Sequence, residues 1–503
     1  MAAKTADDDG PGMAGDSSSF GSELLRHGFT ATDVGSPAAL AAMVVDVLRD
    51  APLAAACPGW GMLDPATQVK VRDVSACGGS KTFKVIATVA DAGTPPVAVT
   101  PRVLILHSRP DDHDPTAMRL MAAASAAFAA AGLAPRRIVS GSDWWLERFE
   151  TSAPDGGASE APTAFDADAK EAKESLEAAA QAAEAIEGGD GRVHLSPADA
   201  ARRVERACEE MRLLARIHRD VPPGWFEPFR RALVAGTPAL AHAPAEAHSW
   251  VMIARGRFGC HERATRAAAL AEIAAGAGVA ASEVPADHPR LPAAPALPWP
   301  GATLLHYMNA SVVPSWGPLA RRVVTLHGDF HGGNTVRNAA GDLVAVDFEF
   351  ACAGPAVVDV AYNLDEYMRW SSLADRRRIV AAYVAELTGD AALAAATDAA
   401  LAAHGPVNQL VLDCALASGF GFERGMAGWH LHDPPKPAVP TAEFHRKMDA
   451  LVAAREEALA SPEATAAFLA DPRAVWKAAD QKPPSSSDDD DGAVAGDGTV
   501  VDA

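Results

Sequence analysis

The sequence predicts an α+β fold of two lobes, in which a small β-rich lobe precedes a larger helical lobe. Three observations support this prediction. Runs rich in β-forming residues and bounded by Gly, Asp and Pro fill residues 21–150. Long runs with helical periodicity fill residues 193–480, and a segment of different composition separates the two. A cleft between two lobes is a common setting for a ligand.

The small lobe is predicted to contain three strands, a helix and a further strand. The stretches TQVKVRDVS, KTFKVIATVA and RVLILHS have the composition of strands. The stretch DPTAMRLMAAASAAFAAAGLAP predicts a helix, because Asp114 and Pro115 stand at its start and Gly132 and Pro135 at its end. The stretch WWLERFE predicts the last strand before the larger lobe.

Three segments have compositions that do not favour a packed core. Residues 151–192 are rich in alanine and glutamate, which favour helix, but they offer few large apolar side chains. We therefore expect a mobile helical insertion there. Residues 1–20 and 481–503 combine low hydrophobicity with repeated acidic residues, and we expect both tails to be disordered.

The overall composition disfavours several classes of partner. The 503 residues are 49% hydrophobic and 22% charged, which is ordinary for a globular protein. No run approaches the roughly 18 apolar residues of a membrane span. The formal net charge of −21 disfavours nucleic acid and anionic membranes as partners. Six scattered cysteines and a start without a signal sequence predict reduced thiols and a cytoplasmic location.

One stretch, VVTLHGDFHGGNTVRNAAGDLVAVDFEF, concentrates polar residues between two short apolar strands. Asp329 and Asn334 lie in the loop after the first strand, and Asp347 follows the second, thirteen residues after Asn334. We expect two adjacent strand ends to bring these side chains together. Oxygen ligands that are few in number suit Mg²⁺, which shares its coordination with substrate phosphates. Phosphoryl transfer uses this order of a proton-accepting aspartate, a metal-binding asparagine and a metal-binding aspartate.

Other interpretations of the same stretch involve different chemistry. His327, His331 and Asp329 are candidates for a transition-metal site, but no third nitrogen or sulfur ligand accompanies them. Cys352 has no basic neighbour in the sequence, so we interpret it as a buried apolar residue and not as a nucleophile. Glu349 either supports the metal ligands or braces a helix.

The motif and its surroundings resemble the aminoglycoside phosphotransferase and choline/ethanolamine kinase superfamily, whose two-lobe fold is protein-kinase-like. GLAPRRI and WWLERF resemble the approach to the interlobe hinge of choline kinases. MRLLARIH resembles a family helix ending in Ala-x-x-His, and FEFACAGPAVVDVAYNL resembles the segment after the metal-binding aspartate. The similarity covers roughly Pro65 to Ala470, with gaps at the insertion and between about Leu240 and Pro314.

In the larger lobe, the resemblance implies an ATP- and Mg²⁺-dependent kinase that phosphorylates a small-molecule hydroxyl group. It implies that Asp329 is the catalytic base and that Asn334 and Asp347 bind Mg²⁺. It also implies that His327 is a structural residue of the catalytic loop and that Asp359 is a buried brace of that loop.

For the nucleotide, the resemblance implies contacts from the small lobe and the hinge. The hinge residues Glu147, Arg148 and Phe149 would give backbone hydrogen bonds to adenine. A glycine-rich turn would cover the phosphates, and its residues would be Gly78, Gly79 and Ser80.

The small lobe departs from the family's pattern. Members carry a Lys or Arg on the third strand, which holds the α- and β-phosphates and pairs with a Glu of the following helix. In this sequence the two positions fall on Leu106 and Met121. Lys81, Lys84 and Arg109 are alternative sources of the phosphate contact.

The substrate pocket departs from choline kinases as well. Their aromatic box binds a quaternary ammonium group through cation–π contacts. Phe422 and Gly425 fall at two of the aromatic positions of that box. Trp429, Tyr362 and Tyr367 are candidates for a different box.

Two hypotheses about function follow. The first is a kinase for a small amine-bearing alcohol such as choline or ethanolamine, as in phospholipid biosynthesis, or for an aminoglycoside, methylthioribose or a fructosamine. Asp329, Asp365 and Glu366 are the candidate carboxylates that attract a cationic acceptor. The second is a non-catalytic member that binds a nucleotide or partner. Leu106 and Met121 favour the second hypothesis, whereas the intact catalytic motif opposes it.

Overall fold

The computed structural model describes sixteen parts of the chain. They are residues 36–73, 81–88, 99, 103–108, 115–140, 144–148, 195–236, 270, 273–277, 279–280, 284–285, 313–338, 340–348, 350–368, 371–419 and 441–470. The predicted tails and the insertion lie outside these residues, and their boundaries stay predictions. The chain divides into two compact units, Met1–Ala438 and Val439–Ala503.

In its described residues, the small lobe contains three α-helices and one five-stranded sheet. Its elements are α1 (Pro37–Val47), α2 (Ala51–Ala56), β1 (Val69–Asp73), β2 (Lys81–Ala87), β3 (Val103–Ser108), α3 (Pro115–Ala130), β4 (Arg137–Ser140) and β5 (Trp144–Arg148). Helix α1 begins after Ser36, whose hydroxyl accepts the N–H of Ala39 at 3.1 Å. Proline at the first turn suits a helix start, because its missing N–H would have no partner there.

The sheet is antiparallel, with strand order β1-β2-β3-β5-β4. Side chains alternate between its two faces. On β3, Leu104 and Leu106 face the main core of the lobe, where they pack with α1 residues such as Leu40 and Val44. Ile105 and His107 therefore face the opposite side of the sheet. That side carries Met121 of α3 packed against Trp145 of β5.

The larger lobe within the first unit is mainly helical. Its elements are α4 (Pro197–Asp220), α5 (Glu227–Gly236), β6 (Val323–Leu326), β7 (Thr335–Arg337), β8 (Leu343–Ala345), β9 (Cys352–Pro355), α6 (Val357–Met368), α7 (Leu373–Thr388), α8 (Ala391–Ala394), α9 (Asp398–Ala403) and α10 (Gly405–Gly419). Helix α7 begins with a capping box, in which Ser372 and Asp375 satisfy each other's backbone N–H groups. The predicted order of a small β-rich lobe and a larger helical lobe, typical of the protein-kinase-like fold, is confirmed.

The strands around the polar motif pair differently from the prediction. The strands before Asp329 and before Asp347 were expected to be neighbours, and that expectation is wrong. Strand β6 pairs with β9, and β7 pairs with β8 as a separate hairpin. The residues directly after Asn334 form β7, a strand that the sequence did not predict. Because β7 lies only a few residues before β8 in the chain, β8 pairs with β7 and not with β6.

The second unit contains two described helices, α11 (Thr441–Ala458) and α12 (Pro462–Ala470). The hydroxyl of Thr465 donates to the carbonyl of Ala458 at 2.7 Å and fixes the turn between them. Among the helices of the described ranges, none has the length and apolarity that crossing a membrane requires.

Candidate active site

The loop after β6 is held by a buried carboxylate. Asp359 of α6 accepts the backbone N–H of His327 at 2.6 Å and that of Gly328 at 2.9 Å. His218, at the end of α4, lies 3.4 Å from the same carboxylate and 2.8 Å from the hydroxyl of Tyr383. The structure therefore supports the predicted role of Asp359 as a brace, and it explains why the sequence MRLLARIH ends in a histidine.

Gly328 allows this loop to turn sharply. Its φ is +82°, a conformation that costs little only for glycine. A Cβ atom at this position would lie 2.1 Å from the carbonyl oxygen of Phe350. The close approach of these two backbone segments holds the next residue, Asp329, at the start of the turn.

Three side chains surround the carboxylate of Asp329. Tyr362 of α6 donates its hydroxyl to Oδ1 at 2.6 Å. Asn334 donates Nδ2 to the backbone carbonyl of Asp329 at 2.9 Å and to Oδ2 at 3.2 Å. Nε2 of His331 lies 3.7 Å from Oδ2. Asp329 is thus held from both sides of its carboxylate. A proton acceptor that must keep one orientation requires such contacts.

The β7–β8 hairpin brings Asp347 next to Asn334. The N–H of Val346 donates to the backbone carbonyl of Asn334 at 2.9 Å, which joins the two segments at the open end of the hairpin. Within the described part of the chain, Asp347 alone among non-glycine residues has a positive φ, at 64°. Asp tolerates this left-handed conformation better than most residues. The unusual backbone turns Asp347 out of the strand direction.

The electrostatic surroundings of Asp347 suit a cation. The side chain is exposed, yet loss of hydration among the surrounding protein atoms raises the pKa of its carboxyl above the ordinary value. His327 opposes this shift, the charge of Asp329 adds to it, and His107 and His331 oppose it as well. Two nearby carboxylates repel each other unless a positive charge lies between them.

The donor set fits Mg²⁺. Because Nδ2 of Asn334 donates to Asp329, the amide oxygen is the atom left to bind a cation. Asn334 and Asp347 would supply two oxygen ligands, and phosphates and water would supply the others. No cluster of three or more His, Cys, Asp or Glu side chains suited to a metal exists within the described ranges. The proposed transition-metal site at His327, His331 and Asp329 therefore finds no support.

His327 belongs to an aromatic cluster between the lobes. Its ring is buried, and Nε2 donates to the carbonyl of Val346 at 2.8 Å. Phe348 lies 5.4 Å from the ring of His327 and 4.6 Å from the ring of Phe128 in α3. Phe330 packs on the other side of His327, at 5.6 Å. The ring of His327 is thus enclosed by aromatic side chains, which is compatible with a structural residue of the loop, and that role stays a prediction.

A second buried network supports the loop from behind. Glu210 of α4 is buried and accepts Nε of Arg206 at 2.7 Å and Nδ2 of Asn363 at 3.2 Å. The hydroxyl of Tyr367 also donates to Glu210. Nη2 of Arg206 reaches the hydroxyl of Thr335, the residue after Asn334, at 2.7 Å. The sequence had suggested Tyr367 as a candidate wall of a substrate box. In the structure, its hydroxyl belongs to this buried network instead.

The predicted nucleotide contacts of the small lobe are only partly described. Gly78, Gly79, Ser80 and Phe149 lie outside the described residues. Glu147 and Arg148 are the last residues of strand β5, which lies between β3 and β4, and the hinge role of Glu147–Phe149 stays a prediction.

The N–H of Arg148 already donates to the carbonyl of Arg136 at 2.9 Å, so it cannot serve adenine. The prediction is wrong for this amide, because the pairing of β5 with the segment before β4 continues through Arg148. The side chain of Glu147 is buried and binds His107 at 2.9 Å.

Sequence reasoning missed two further contacts of the site. Tyr362 was considered only as an aromatic wall, and Glu210 was not considered. Their spacing from Asp329, 33 residues in one direction and 119 in the other, carries no local pattern. Cys352 agrees with its interpretation, since it is fully buried and burial raises the pKa of its thiol.

Comparisons with known proteins give one family. The family model described as "Phosphotransferase enzyme family" matches residues 97–396. No curated protein matches the chain at a significant level.

Among solved structures, a choline kinase from Cryptosporidium parvum is 10% identical, with a TM-score of 0.40, covering 85% of this chain and 99% of its own. An ethanolamine kinase from Plasmodium vivax is 11% identical, with a TM-score of 0.39 and 84% of each chain covered. An ADP-bound aminoglycoside phosphotransferase, APH(2'')-Ib, is 10% identical, with a TM-score of 0.36, covering 76% of this chain and 93% of its own. At these TM-scores, no conclusion about the substrate rests on the solved structures.

Proposed function

Because the chain belongs to the phosphotransferase enzyme family, we propose that it transfers the γ-phosphoryl group of ATP to a hydroxyl group of a small molecule, with Mg²⁺ as the metal. The contact that supports this proposal most directly is the one between Asn334 and Asp329, at 2.9 and 3.2 Å. It joins a proton acceptor to a metal-binding amide, while the β7–β8 hairpin holds Asp347 beside them.

Asp329 is the catalytic base in this proposal. The acceptor hydroxyl would give its proton to the carboxylate of Asp329, and its oxygen would form a bond to the γ-phosphorus. The bond between that phosphorus and the bridging oxygen to the β-phosphate breaks, and ADP leaves with the electron pair. Tyr362 and Asn334 hold the carboxylate in one orientation, and such positioning is a large part of catalysis in phosphoryl transfer.

Asn334 and Asp347 would hold the metal. When bound, Mg²⁺ neutralises negative charge on the phosphates. The protein positions the two ligands. The hydrogen bond to the carbonyl of Asp329 fixes the amide of Asn334, and the left-handed backbone fixes the direction of the carboxylate of Asp347.

The acceptor we propose is a small alcohol that carries an amine. Asp329 lies at the site, Asp365 follows Tyr362 by three residues on α6, and a formal charge of −21 gives the protein a negative field that attracts cations. Choline and ethanolamine are the first candidates. The hydroxyl of Tyr362 is engaged with Asp329 and Tyr367 is buried, so neither favours an aromatic box for choline alone.

The experiment measures ATP consumption by the purified full chain with a panel of acceptors. The panel contains choline, ethanolamine, an aminoglycoside, methylthioribose, a fructosamine and homoserine. We expect one amine-bearing alcohol to increase ATP consumption, and Asp329→Asn to abolish the increase while Mg²⁺–ATP binding persists. Asn keeps the shape of the side chain but cannot accept the proton. An exclusive response to choline would contradict the proposed pocket.

The alternative is nucleotide binding without turnover. Leu106 and Met121 are buried apolar residues where related kinases place a cation and a carboxylate, and this observation favours the alternative. Mg²⁺–ATP binding with no acceptor-dependent consumption, across the whole panel, would support it over the kinase.

A further inference from the structure

Helix α4 reaches the segment that carries Asn334 through a pair of charged side chains. Arg206 and Glu210 are four residues apart and therefore share one face of the helix. Nε of Arg206 donates to Oε1 of Glu210 at 2.7 Å. The side chain of Glu210 is 1% exposed and that of Arg206 is 23% exposed. A buried carboxylate requires a charged or strongly donating partner, so this ion pair gives the guanidinium of Arg206 a fixed orientation.

The second oxygen of Glu210 is held by a different helix. Oε2 accepts Nδ2 of Asn363 at 3.2 Å and the hydroxyl of Tyr367, both from α6. Arg206 binds Oε1 and does not share this oxygen. Either donor of α6 alone satisfies Oε2, so the ion pair with Arg206 does not depend on both. Glu210 thus connects Arg206 to the interior of the larger lobe.

A chain of hydrogen bonds continues from Arg206 to the catalytic loop. Nη2 of Arg206 donates to the hydroxyl of Thr335 at 2.7 Å. A guanidinium has donors only, so the hydroxyl must accept this bond and keeps its own proton to donate. It donates that proton to the carbonyl of Gly332 at 3.0 Å. Arg206 therefore acts on Gly332 through Thr335, which is buried.

Asn334 lies between the two loop residues that this chain connects. Its N–H donates to the carbonyl of His331 at 2.9 Å, which closes the same tight turn. The carboxylate of Glu210 also lies against this turn, because a Cβ atom at Gly332 would be 3.0 Å from Oε1. The contact with Asp329 orients the amide of Asn334, whereas the contacts of α4 fix the backbone from which that amide extends.

The same contact extends to the second proposed metal ligand. Thr335 is the first residue of β7 and pairs with Ala345 of β8, two residues before Asp347. The N–H of Val346 donates to the carbonyl of Asn334 at 2.9 Å. A displacement of Thr335 would therefore change the position of Asn334 relative to Asp347.

We propose that Arg206 is a positioning residue of the metal site, and that it acts through the hydroxyl of Thr335 to hold Asn334 in register with Asp347. This inference rests on the proposed ATP- and Mg²⁺-dependent function. Arg206 contacts neither the metal nor the nucleotide in this role. Its charge is balanced by Glu210, so it does not repel a cation. Residues that orient metal ligands typically change metal affinity by about 10–100-fold when they are replaced.

A role in packing α4 against the hairpin is the competing explanation. Arg337, at the other end of β7, donates Nη2 to Glu209 of α4 at 2.7 Å and Nη1 to the carbonyl of Gly341 at 2.8 Å. This pair joins the same helix to the same strand. If the contacts only pack the two elements together, loss of either arginine should have the same effect. Glu209 also lies 3.7 Å from Nη1 of Arg206, so the control variant is made at Arg337.

The test measures how ATP binding by the full chain depends on the Mg²⁺ concentration, by calorimetry. The variants are Arg206→Gln, Thr335→Val and Thr335→Ser. Valine keeps the shape of threonine and suits a strand, but it has no hydroxyl. We expect Arg206→Gln and Thr335→Val each to raise the Mg²⁺ concentration that half-saturates ATP binding about tenfold. Thr335→Ser keeps the hydroxyl and should stay close to the wild type. Affinity for adenosine, which has no phosphate to share with a metal, should not change in any variant.

Two controls make the same changes away from the metal ligands. Arg337→Gln removes the other ion pair between α4 and β7. Thr325→Val removes a buried strand hydroxyl that accepts Nε1 of Trp225 at 3.2 Å and donates to the carbonyl of Val221 at 2.8 Å. Both controls should lower the melting temperature and leave the Mg²⁺ requirement of ATP binding unchanged.

Four results would overturn the inference. They are an unchanged Mg²⁺ requirement in Thr335→Val, an equal rise in Arg337→Gln or Thr325→Val, an equal loss of affinity for adenosine and ATP, and a rise in Thr335→Ser as large as that in Thr335→Val. If Thr335→Val does not fold, Arg206→Gln decides, since a selective rise in its Mg²⁺ requirement supports the inference and no rise overturns it.

The same measurements separate this inference from the proposed function. A wild-type chain whose ATP binding requires Mg²⁺, beside an unchanged requirement in Thr335→Val, overturns only the role of Arg206. A wild-type chain that binds no ATP, or binds it equally in EDTA, overturns both.

Discussion

The hydroxyl of Tyr362 donates to Oδ1 of Asp329 at 2.6 Å. The two residues lie 33 positions apart in the sequence, on α6 and on the loop after β6. The bond occupies one side of the proposed base, and Asn334 occupies the other. Asp329 therefore has little rotational freedom, and an acceptor hydroxyl would meet its carboxylate in one orientation.

The first prediction concerns this bond. Tyr362→Phe should lower kcat by at least about tenfold, because Asp329 loses a charge-assisted hydrogen bond that orients it. Affinity for Mg²⁺–ATP should not change. Tyr367→Phe is the control, since it removes the same atom from the same helix, but its hydroxyl donates to Glu210. The control should lower the melting temperature and spare kcat. A normal kcat in Tyr362→Phe would contradict the orienting role.

The second prediction uses two glycines with similar backbone angles. Gly328→Ala should lower the free energy of unfolding by about 3 kcal/mol or more, because the new methyl would meet the carbonyl of Phe350 at 2.1 Å and the φ of +82° adds strain. Gly341→Ala has a φ of +88° but nothing within 4 Å of the new methyl. It should cost only about 1 kcal/mol. Urea denaturation measures both, and equal costs would show that the close approach is absent.

The third prediction concerns the brace of the catalytic loop. Asp359→Asn replaces a carboxylate that accepts two backbone N–H groups with an amide that can accept only at its oxygen. The free energy of unfolding should fall by about 2–3 kcal/mol, and activity should be lost with it. Asp398→Asn is the control, because its ion pair with Arg378 is exposed and is worth at most about 1 kcal/mol. Similar losses in the two variants, by chemical denaturation, would contradict the brace.

The fourth prediction concerns Asp347 in the metal-free protein. Its pKa is raised from the ordinary value of 3.8 in the folded state. The folded protein thus holds the proton to higher pH than the unfolded chain does, and stability falls as pH rises between the two pKa values. Asp347→Asn should therefore raise the melting temperature in EDTA at neutral pH. The gain should shrink below the ordinary pKa, where the carboxyl is protonated in both states.

The same variant also tests the metal. Asn tolerates the left-handed backbone of this position, so the change removes a charge without adding strain. Mg²⁺–ATP should stabilise the wild type much more than Asp347→Asn, whereas in EDTA the nucleotide should stabilise both by similar amounts. Equal stabilisation of the wild type by ATP with Mg²⁺ and with EDTA would rule out the metal assignment.

Local spacing made the catalytic loop predictable from the sequence. Asp329 and Asn334 are five residues apart, and Asp347 follows on the next hairpin, so chain connectivity alone keeps the three side chains close. The family resemblance also located Asp359, whose brace the structure bears out. The two-lobe order followed from composition, because β-forming and helix-forming runs occupy different parts of the chain.

The register of the small-lobe sheet was not predictable in this way. His107 and Glu147 lie 40 residues apart, and their contact depends on how β3 and β5 align. The family resemblance placed the cation at Leu106, which lies in the main core, whereas its neighbour His107 faces the other side of the sheet, and a shift of one residue moves a side chain from one face to the other. The amide of Arg148 was assigned wrongly for the same reason, since the pairing that occupies it comes from residues before Arg137.

Helix α3 has a consequence for how the lobes would move. The N–H of Ala345 in β8 donates to the carbonyl of Leu133, just after α3, at 2.8 Å, and Phe128 packs against Phe348. The C-terminal end of α3 is therefore fastened to the larger lobe, although the chain places it within the small one. We expect this end to act as a pivot, so that opening of the cleft for nucleotide exchange tilts the sheet while the end of α3 stays in place.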